Sequence, residues 1–502
     1  MKTVTLNKPY DITLGSAGEE QSAPLTGTFV HKEKGTKLLL KGFEQEPGQQ
    51  TIRYSLPEEG EWDFTITGSA GELETGSVIC AIDSETRYPV DVTSYKARPI
   101  FTQNDKPYFM SMYECNWLFA LWMDNEEDAR NFLINIKENR FNSIAMNVYA
   151  HTCAWTKEGT PGRLVPPPLF NWGGSNEHPD FSCINPEFYK RFDDLMHFMY
   201  DLDLVAHLYY FVWNKGNSYP AEGSPEEAEY VSYITRRYQA FPNVIWDYCK
   251  EAYLRINKDH IRTIVKQIKT EDSYNRLITV HDDKLVQYDE SFDELLDFYT
   301  MQLKHDYYSK TLREIEKGKK PVFCAEYTYE SGKTLDDKTF ESSHTYENLM
   351  RVTWELAIAG SPICYYYTFS SWDVIRVNDR PRGLEGSKLL VDYFNSFDWW
   401  NFTARSEENL QVRTQQACAK HIDRNEYMLL TDTAGRFGFT LDFDKYKVEG
   451  EWVDIYTGAR QAIESSHFVH EYNSQIKFAM CPFAPRHGAM GNCFARFTIT
   501  ER

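Results

Sequence analysis

The chain has 502 residues, more than one hydrophobic core usually organises, so two or three domains are expected. Apolar residues make up 42% and aromatic residues 15%, which excludes a disordered chain and supplies rings suited to stacking on flat, hydroxylated ligands. A formal net charge of -20 repels polyanions and argues against DNA or RNA as partners.

Residues 1–97 read as strands. "GTFVHKEKGTKLLLKGF", "QQTIRYSL" and "EWDFTITG" alternate or run apolar between Gly, Pro and Glu breaks, which predicts a small N-terminal β-sandwich. The opening "MKTVTLNKPYDITLGSAGEE" has no apolar core of a secretion signal, and no stretch of about 18 apolar residues follows anywhere. No membrane association is expected. The ten cysteines are scattered without CxxC spacing, which predicts reduced residues in a cytoplasmic protein.

Over residues 98–402 short apolar runs alternate with helical stretches. The predicted strands are 108–113, 143–149, 204–211, 243–249, 277–281, 298–303, 321–327 and 362–369. Between them, "NEEDARNFLINIKENR", "NPEFYKRFDDLMHFMYDL", "PEEAEYVSYITRRYQAF", "KDHIRTIVKQIKTED" and "SKTLREIEKG" carry apolar residues at helical spacing, several behind an Asn, Asp or Ser cap. Eight such units predict an α/β fold with a (β/α)8 TIM barrel. An open doubly wound sheet is the alternative, but no GxGxxG follows any strand and no dinucleotide cofactor is expected. Residues 403–502 return to strands, such as "EYMLLTD" and "CFARFTIT", and predict a C-terminal all-β domain.

A barrel of this kind works at the C-terminal ends of its strands. "VFCAEYTYESG" places Glu326 at the end of the seventh, and "NVIWDYCKEAY" places Glu251 just past the fourth. Those ends face each other across the mouth, so the pair suits glycoside hydrolysis. One carboxylate would attack the anomeric carbon while the other trades a proton with the leaving oxygen. Carboxyl groups about 5–5.5 Å apart retain configuration and those about 6.5–9.5 Å apart invert it. Asp247, inside the strand, and Glu330, a turn beyond, are the nearby decoys. An acid at a strand end is also often a helix cap or surface ion pair, a reading that two acids at opposed strands weaken.

The other strand ends supply groups that fit a sugar. They are Glu114, Asn116 and Trp117 from the first, Asn147, His151 and Trp155 from the second, and Trp213 and Asn214 from the third. His281 and Asp282 come from the fifth, Gln302 and His305 from the sixth, and Trp372 from the eighth. Amides and acids pair with sugar hydroxyls and Trp covers the apolar ring face. His207, His281 and His305 lack HxH or HExxH spacing, so no catalytic metal is expected, and no GxSxG elbow or phosphate loop occurs.

These stretches resemble the apiosidase-like glycoside hydrolases, relatives of the clan A barrels. The likeness runs through "YITRRYQAFPNVIWDYCKEAY", "KPVFCAEYTYESG" and "EWVDIYTGARQ", the last similar to a C-terminal β-domain of collagen-binding type, a label of fold only. The resemblance implies Glu251 as acid/base, Glu326 as nucleophile and a retaining mechanism, with Glu114, His281, Gln302 and His305 near the sugar. Two positions depart from the family pattern: Lys250 stands where clan A enzymes carry Asn and apiosidases Gly, and Glu114 where Asp is expected. A cation beside an acid/base would lower its pKa, opposite to what an acid needs, unless Lys250 points away or binds a charged substrate. The expected activity is exo-cleavage of a small oligosaccharide or glycoside. The rivals are a carbohydrate-binding protein on a degenerate barrel, which Lys250 favours, and a lyase or metal-dependent isomerase. The β-domains either pack on the barrel or pair subunits into a homo-oligomer.

Overall fold

The computed structural model describes every residue except 1, 16–23, 153–158, 256, 283–289, 331–342, 405–411, 414, 471–476 and 484–491. Trp155 therefore lies outside the described residues.

Each of the eight predicted apolar runs in the middle of the chain contains a strand. They are β1 (Ser111–Glu114), β2 (Ser143–Asn147), β3 (Val205–Val212), β4 (Val244–Lys250), β5 (Ile278–Thr279), β6 (Tyr299–Gln302), β7 (Val322–Glu326) and β8 (Ile363–Tyr367). All pair in parallel. One ladder runs β5-β4-β3-β2-β1-β8, and a second joins His281–Asp282 to β6 and β7. Beyond β7 the chain returns to β8, with Tyr329 opposite Tyr366 and Glu330 opposite Tyr367. The result is a mixed α/β domain of TIM-barrel type. Nearly every strand residue is buried, because helices cover the outer face and side chains fill the inner one.

The five predicted helices are present at Glu126–Glu138, Pro186–Asp201, Pro225–Tyr238, Lys258–Glu271 and Tyr307–Glu316. Asn125, Asn185, Ser224 and Asn257 accept backbone N–H bonds as caps on the first four. Two long helices, Tyr346–Ala359 and Arg382–Phe394, go beyond the prediction. The first is buried on nearly every side, so it has no polar face to make its period visible.

Both termini are strand-rich. Before this α/β domain, a five-stranded sheet and a three-stranded sheet enclose a core around Phe29, Tyr54 and Trp62. After it, a six-stranded sheet packs Met428, Leu430 and Phe494 against Trp354 and Phe394 of the two extra helices. The N-terminal sheets are tied down by charge. Arg53 donates to Asp193 of helix Pro186–Asp201 at 2.9 Å and to Asp11 at 2.8 Å, while Arg237 donates to Asp193 at 2.7 and 2.9 Å. The Phe43 ring lies between the two guanidinium groups, 5.3 and 4.8 Å from them. Burial would raise the Asp193 pKa, but the two arginines hold it well below the usual carboxylate range.

The cysteine reading needs correction at one pair. Cys481 and Cys493 form a disulfide with Cα atoms 6.4 Å apart, whereas the other described cysteines are free. Twelve positions separate the pair in sequence, with no motif to mark it; the ends of strands Lys477–Met480 and Phe494–Glu501 bring it together. Among the described residues no helix is long and apolar enough to cross a membrane.

Two outcomes follow from these ties. Asp193→Asn removes the counter-ion of two buried guanidinium groups and should cost about 3–5 kcal/mol in urea unfolding near neutral pH. Because the folded-state pKa of Asp193 is depressed, its contribution is full above the unfolded value of about 3.9 and is lost as pH falls through the folded value. The gap between wild type and variant should therefore narrow on acidification. Reducing the Cys481–Cys493 bridge should cost roughly 3 kcal/mol, read as a fall in the unfolding midpoint of the C-terminal sheets.

Candidate active site

At the C-terminal ends of the strands, charge is concentrated where water is excluded. β1 ends on Glu114, β4 on Lys250 and β7 on Glu326, and Glu114 and Lys250 are fully buried. Lys250 Nζ donates to Glu114 Oε1 and Glu326 Oε2, both at 2.8 Å, and to the Tyr366 hydroxyl at 3.3 Å. Asn116 Nδ2 adds a 2.6 Å bond to Glu114 Oε1. Tyr329 donates to Glu326 Oε1 at 2.6 Å, and Tyr366 to Oε2 at 3.3 Å.

Burial alone would push the Glu326 carboxyl up. The Lys250 charge and the neighbouring His281 reverse this and hold it well below the usual carboxylate range. Burial would likewise neutralise Lys250, but Glu114, Glu326 and Glu251 keep it protonated, above the usual lysine value. Lys250 thus neither points away nor lies free for a charged ligand. Its charge acts on Glu326, where stabilising the ionised form suits a nucleophile.

Glu251 follows directly, in the left-handed region at φ 60° and ψ 57°, and is 7% exposed. This turn ends β4 and redirects the next side chain, at a backbone cost of order 1–3 kcal/mol for a residue with a Cβ. Asn214, from the end of β3, donates to Glu251 Oε2, and Lys215 Nζ donates to Asn214 Oδ1 at 2.8 Å. Glu251 shares neighbours with Glu326: its charge acts on both Lys250 and the Tyr329 hydroxyl.

A ring of aromatic and polar groups surrounds this pair. His281 Nε2 is 3.4 Å from Glu326 Oε2, and its Nδ1 meets the Tyr209 hydroxyl at 3.2 Å. The backbone N–H of His281 is held by Asp247, which also bonds His207 at 2.8 Å, so Asp247 is an interior strut. Gln302, the last residue of β6, lies opposite Glu326 across a bulge. Trp372 is buried, with Lys215 Nζ 3.8 Å above its ring and Tyr329 stacked beside it at 6.4 Å.

The remaining expected residues make other contacts. Trp213 is sandwiched between Phe211 and Arg255. His151 sits at the rim, its Nε2 3.0 Å from Glu177. Trp117 is core, 2% exposed at the start of helix Leu118–Asp124. His305 is not brought to the cluster: its side chain is 71% exposed and pairs with Asp306, because Asp306 adopts a left-handed turn (φ 55°) as the helix begins. Sequence reasoning missed Lys215, Tyr209, Tyr329 and Tyr366. Tyr329 was visible three positions after Glu326. Tyr366 lies in a run of three tyrosines, and only the pleat decides which one faces Lys250.

The sequence matches the family described as Apiosidase-like, catalytic domain, over residues 94–406, more than half of the chain. Among solved structures, a candidate glycoside hydrolase from Bacteroides vulgatus ATCC 8482 is similar at 17% identity and a TM-score of 0.79, with 100% of both chains covered. A protein described as a glycoside hydrolase has 14% identity and a TM-score of 0.61, covering 82% of this chain and 97% of its own. A family 5 glycoside hydrolase from Bacteroides vulgatus ATCC 8482 has 14% identity and a TM-score of 0.57, covering 82% and 93%. No curated protein matches the chain.

The left-handed turn at position 251 can be tested by stability alone. Glu251→Gly and Glu251→Ala both lose the bond to Asn214, but only Gly relieves the backbone. The Gly variant should be more stable than the Ala variant by about 1 kcal/mol in thermal unfolding, the reverse of the usual order.

Proposed function

The chain belongs to the apiosidase-like catalytic-domain family and is a glycosidase, and we propose that it acts by a two-carboxylate double displacement with retention of configuration. Glu326, kept ionised by Lys250, attacks the anomeric carbon. Glu251 gives its proton to the departing glycosidic oxygen, which leaves with the bonding electron pair. Water then attacks the glycosyl-enzyme, Glu251 takes its proton, and Glu326 departs as carboxylate. The observation that carries this reading is the 2.8 Å bond from Lys250 to Glu326 at the end of β7, with Glu251, bonded by Asn214, directly after the end of β4. In this reading the two ladders belong to one closed (β/α)8 barrel, bounded near 98 and 402.

Asn214, His281, Gln302 and Trp372 are the proposed sugar contacts, with Trp213 and His151 farther out. Exo-action on a small glycoside is part of this reading; Leu164 N–H donates to Asp373 O at 2.7 Å and ties the chain after β2 to the loop after β8. The sequence pointed to the cytoplasm, and the Cys481–Cys493 bridge is a feature that persists in an oxidising compartment. A second reading, a carbohydrate-binding protein without turnover, is favoured by the crowding of Glu326 by Lys250, Tyr329 and Tyr366.

A panel of nitrophenyl glycosides separates the two. Glu326→Ala and Glu251→Ala should each lower kcat/KM roughly 10³–10⁵-fold, about 4–7 kcal/mol, while staying folded. Azide should restore turnover of an activated glycoside, and NMR of the first-formed sugar should show the substrate's own anomer. Calorimetric sugar binding with no turnover by wild type supports the second reading; an inverted product overturns the double displacement.

A further inference from the structure

A nucleophile that forms an ester loses its negative charge. In this site that poses a specific electrostatic difficulty, because Glu326 is a counter-ion of a fully buried ammonium group. Were Lys250 paired with Glu326 alone, each glycosyl-enzyme would leave the buried ammonium without a hydrogen-bonded carboxylate, the newly ionised Glu251 acting on it only through its charge. The structure supplies a second partner. Glu114 Oε1 accepts from Lys250 Nζ at 2.8 Å, the same distance as Glu326 Oε2, and its carboxyl is closed off from solvent. Asn116 holds that oxygen in place through a 2.6 Å bond and is itself anchored on Ser371 O at 3.1 Å.

We propose that Glu114 and Lys250 form a positioning pair in which Glu114 is the standing counter-ion, so that Glu326 can pass its charge into a bond with the sugar without stranding Lys250. This rests on the double-displacement reading above and goes beyond it, because it assigns Glu114, expected from the sequence to lie near the sugar, a role exerted through Lys250. Before reaction the ammonium is shared between two carboxylates. When Glu326 bonds the anomeric carbon and the glycosidic C–O bond breaks, the leaving oxygen takes the electron pair and the proton of Glu251. Lys250 then remains paired with Glu114. On hydrolysis Glu326 regains its charge and the shared arrangement returns.

The ionisable groups around Glu326 make Lys250 the dominant cation. Glu114 comes from β1, Tyr209 from β3, Glu251 from the turn after β4, His281 from beyond β5, Cys324 from β7, Tyr329 from beyond β7 and Cys364 and Tyr366 from β8. Of these only His281 can add positive charge. Removing Lys250 therefore leaves Glu326 facing Glu114, whose charge favours its protonated form. Removing Glu114 instead leaves Lys250 wholly on Glu326 and should strengthen its ionised state.

The two halves predict opposite signatures. The measurement is kcat/KM and kcat against pH for a dinitrophenyl glycoside that wild type turns over, with wild type, Lys250→Met, Lys250→Arg and Glu114→Gln checked for folding by circular dichroism. kcat/KM reports the free enzyme through the first chemical step, and kcat with this leaving group reports hydrolysis of the glycosyl-enzyme. Lys250→Met should move the acid limb of kcat/KM up by more than one pH unit, and Lys250→Arg should restore it. Glu114→Gln should leave that limb where it is or move it down, while lowering kcat/KM at least tenfold more than kcat. An unmoved acid limb in Lys250→Met, or equal loss of kcat/KM and kcat in Glu114→Gln, overturns the proposal. Should Lys250→Met not fold, Lys250→Arg and Glu114→Gln still decide it. Should wild type turn over none of the glycosides, the double-displacement reading fails. Carbon-13 NMR titration of the Glu326 carboxyl in wild type and Lys250→Arg, assigned through Glu326→Gln, then tests the positioning pair alone: a Glu326 that titrates in the ordinary carboxylate range overturns it.

Discussion

One buried ammonium group organises the centre of this molecule. Taking a lysine out of water is costly, and Lys250 remains charged in the interior only because carboxylates from two other strands meet it. That requirement draws the ends of β1, β4 and β7 to a single point and leaves Glu326 ionised where it would otherwise tend to protonate. The tyrosines around it, each buried and pushed to high pKa, stay neutral and serve as donors. The site is thus a preorganised set of charges and dipoles, the arrangement that stabilises charge developing in a reaction.

The scaffold makes such a centre affordable. Parallel strands buried on both faces hold their ends rigidly, and loops begin where the ladder stops, so polar groups collect at one rim. The strand-rich termini brace the α/β domain from outside. Arg53 reaches from the N-terminal sheets to Asp193, and Phe494 of the C-terminal sheets packs on Trp354. Both attachments fall on helices of the outer layer rather than on the strand ends.

Much of this order is written locally. Strands and caps depend on residues a few positions apart, so the apolar runs, the Asn and Ser caps and the strand-end positions of Glu251 and Glu326 could be read directly. His305 shows the limit: it lies near the end of β6, yet one left-handed residue turns the chain and leaves the ring in solvent. Lys250 shows it more sharply. Beside Glu251 in sequence, it looked like a handicap for an acid, and in space it serves Glu326 and Glu114, separated from it by 76 and 136 positions.

By itself, then, the sequence determined the α/β succession, the all-β character of both ends and the family, because periodicity, capping and motif spacing are properties of neighbouring residues. Only the tertiary structure decided which carboxylate Lys250 neutralises, which of three consecutive tyrosines faces inward, and that Cys481 meets Cys493. Those outcomes depend on distances between residues far apart in the chain, and electrostatic and covalent pairing act through space.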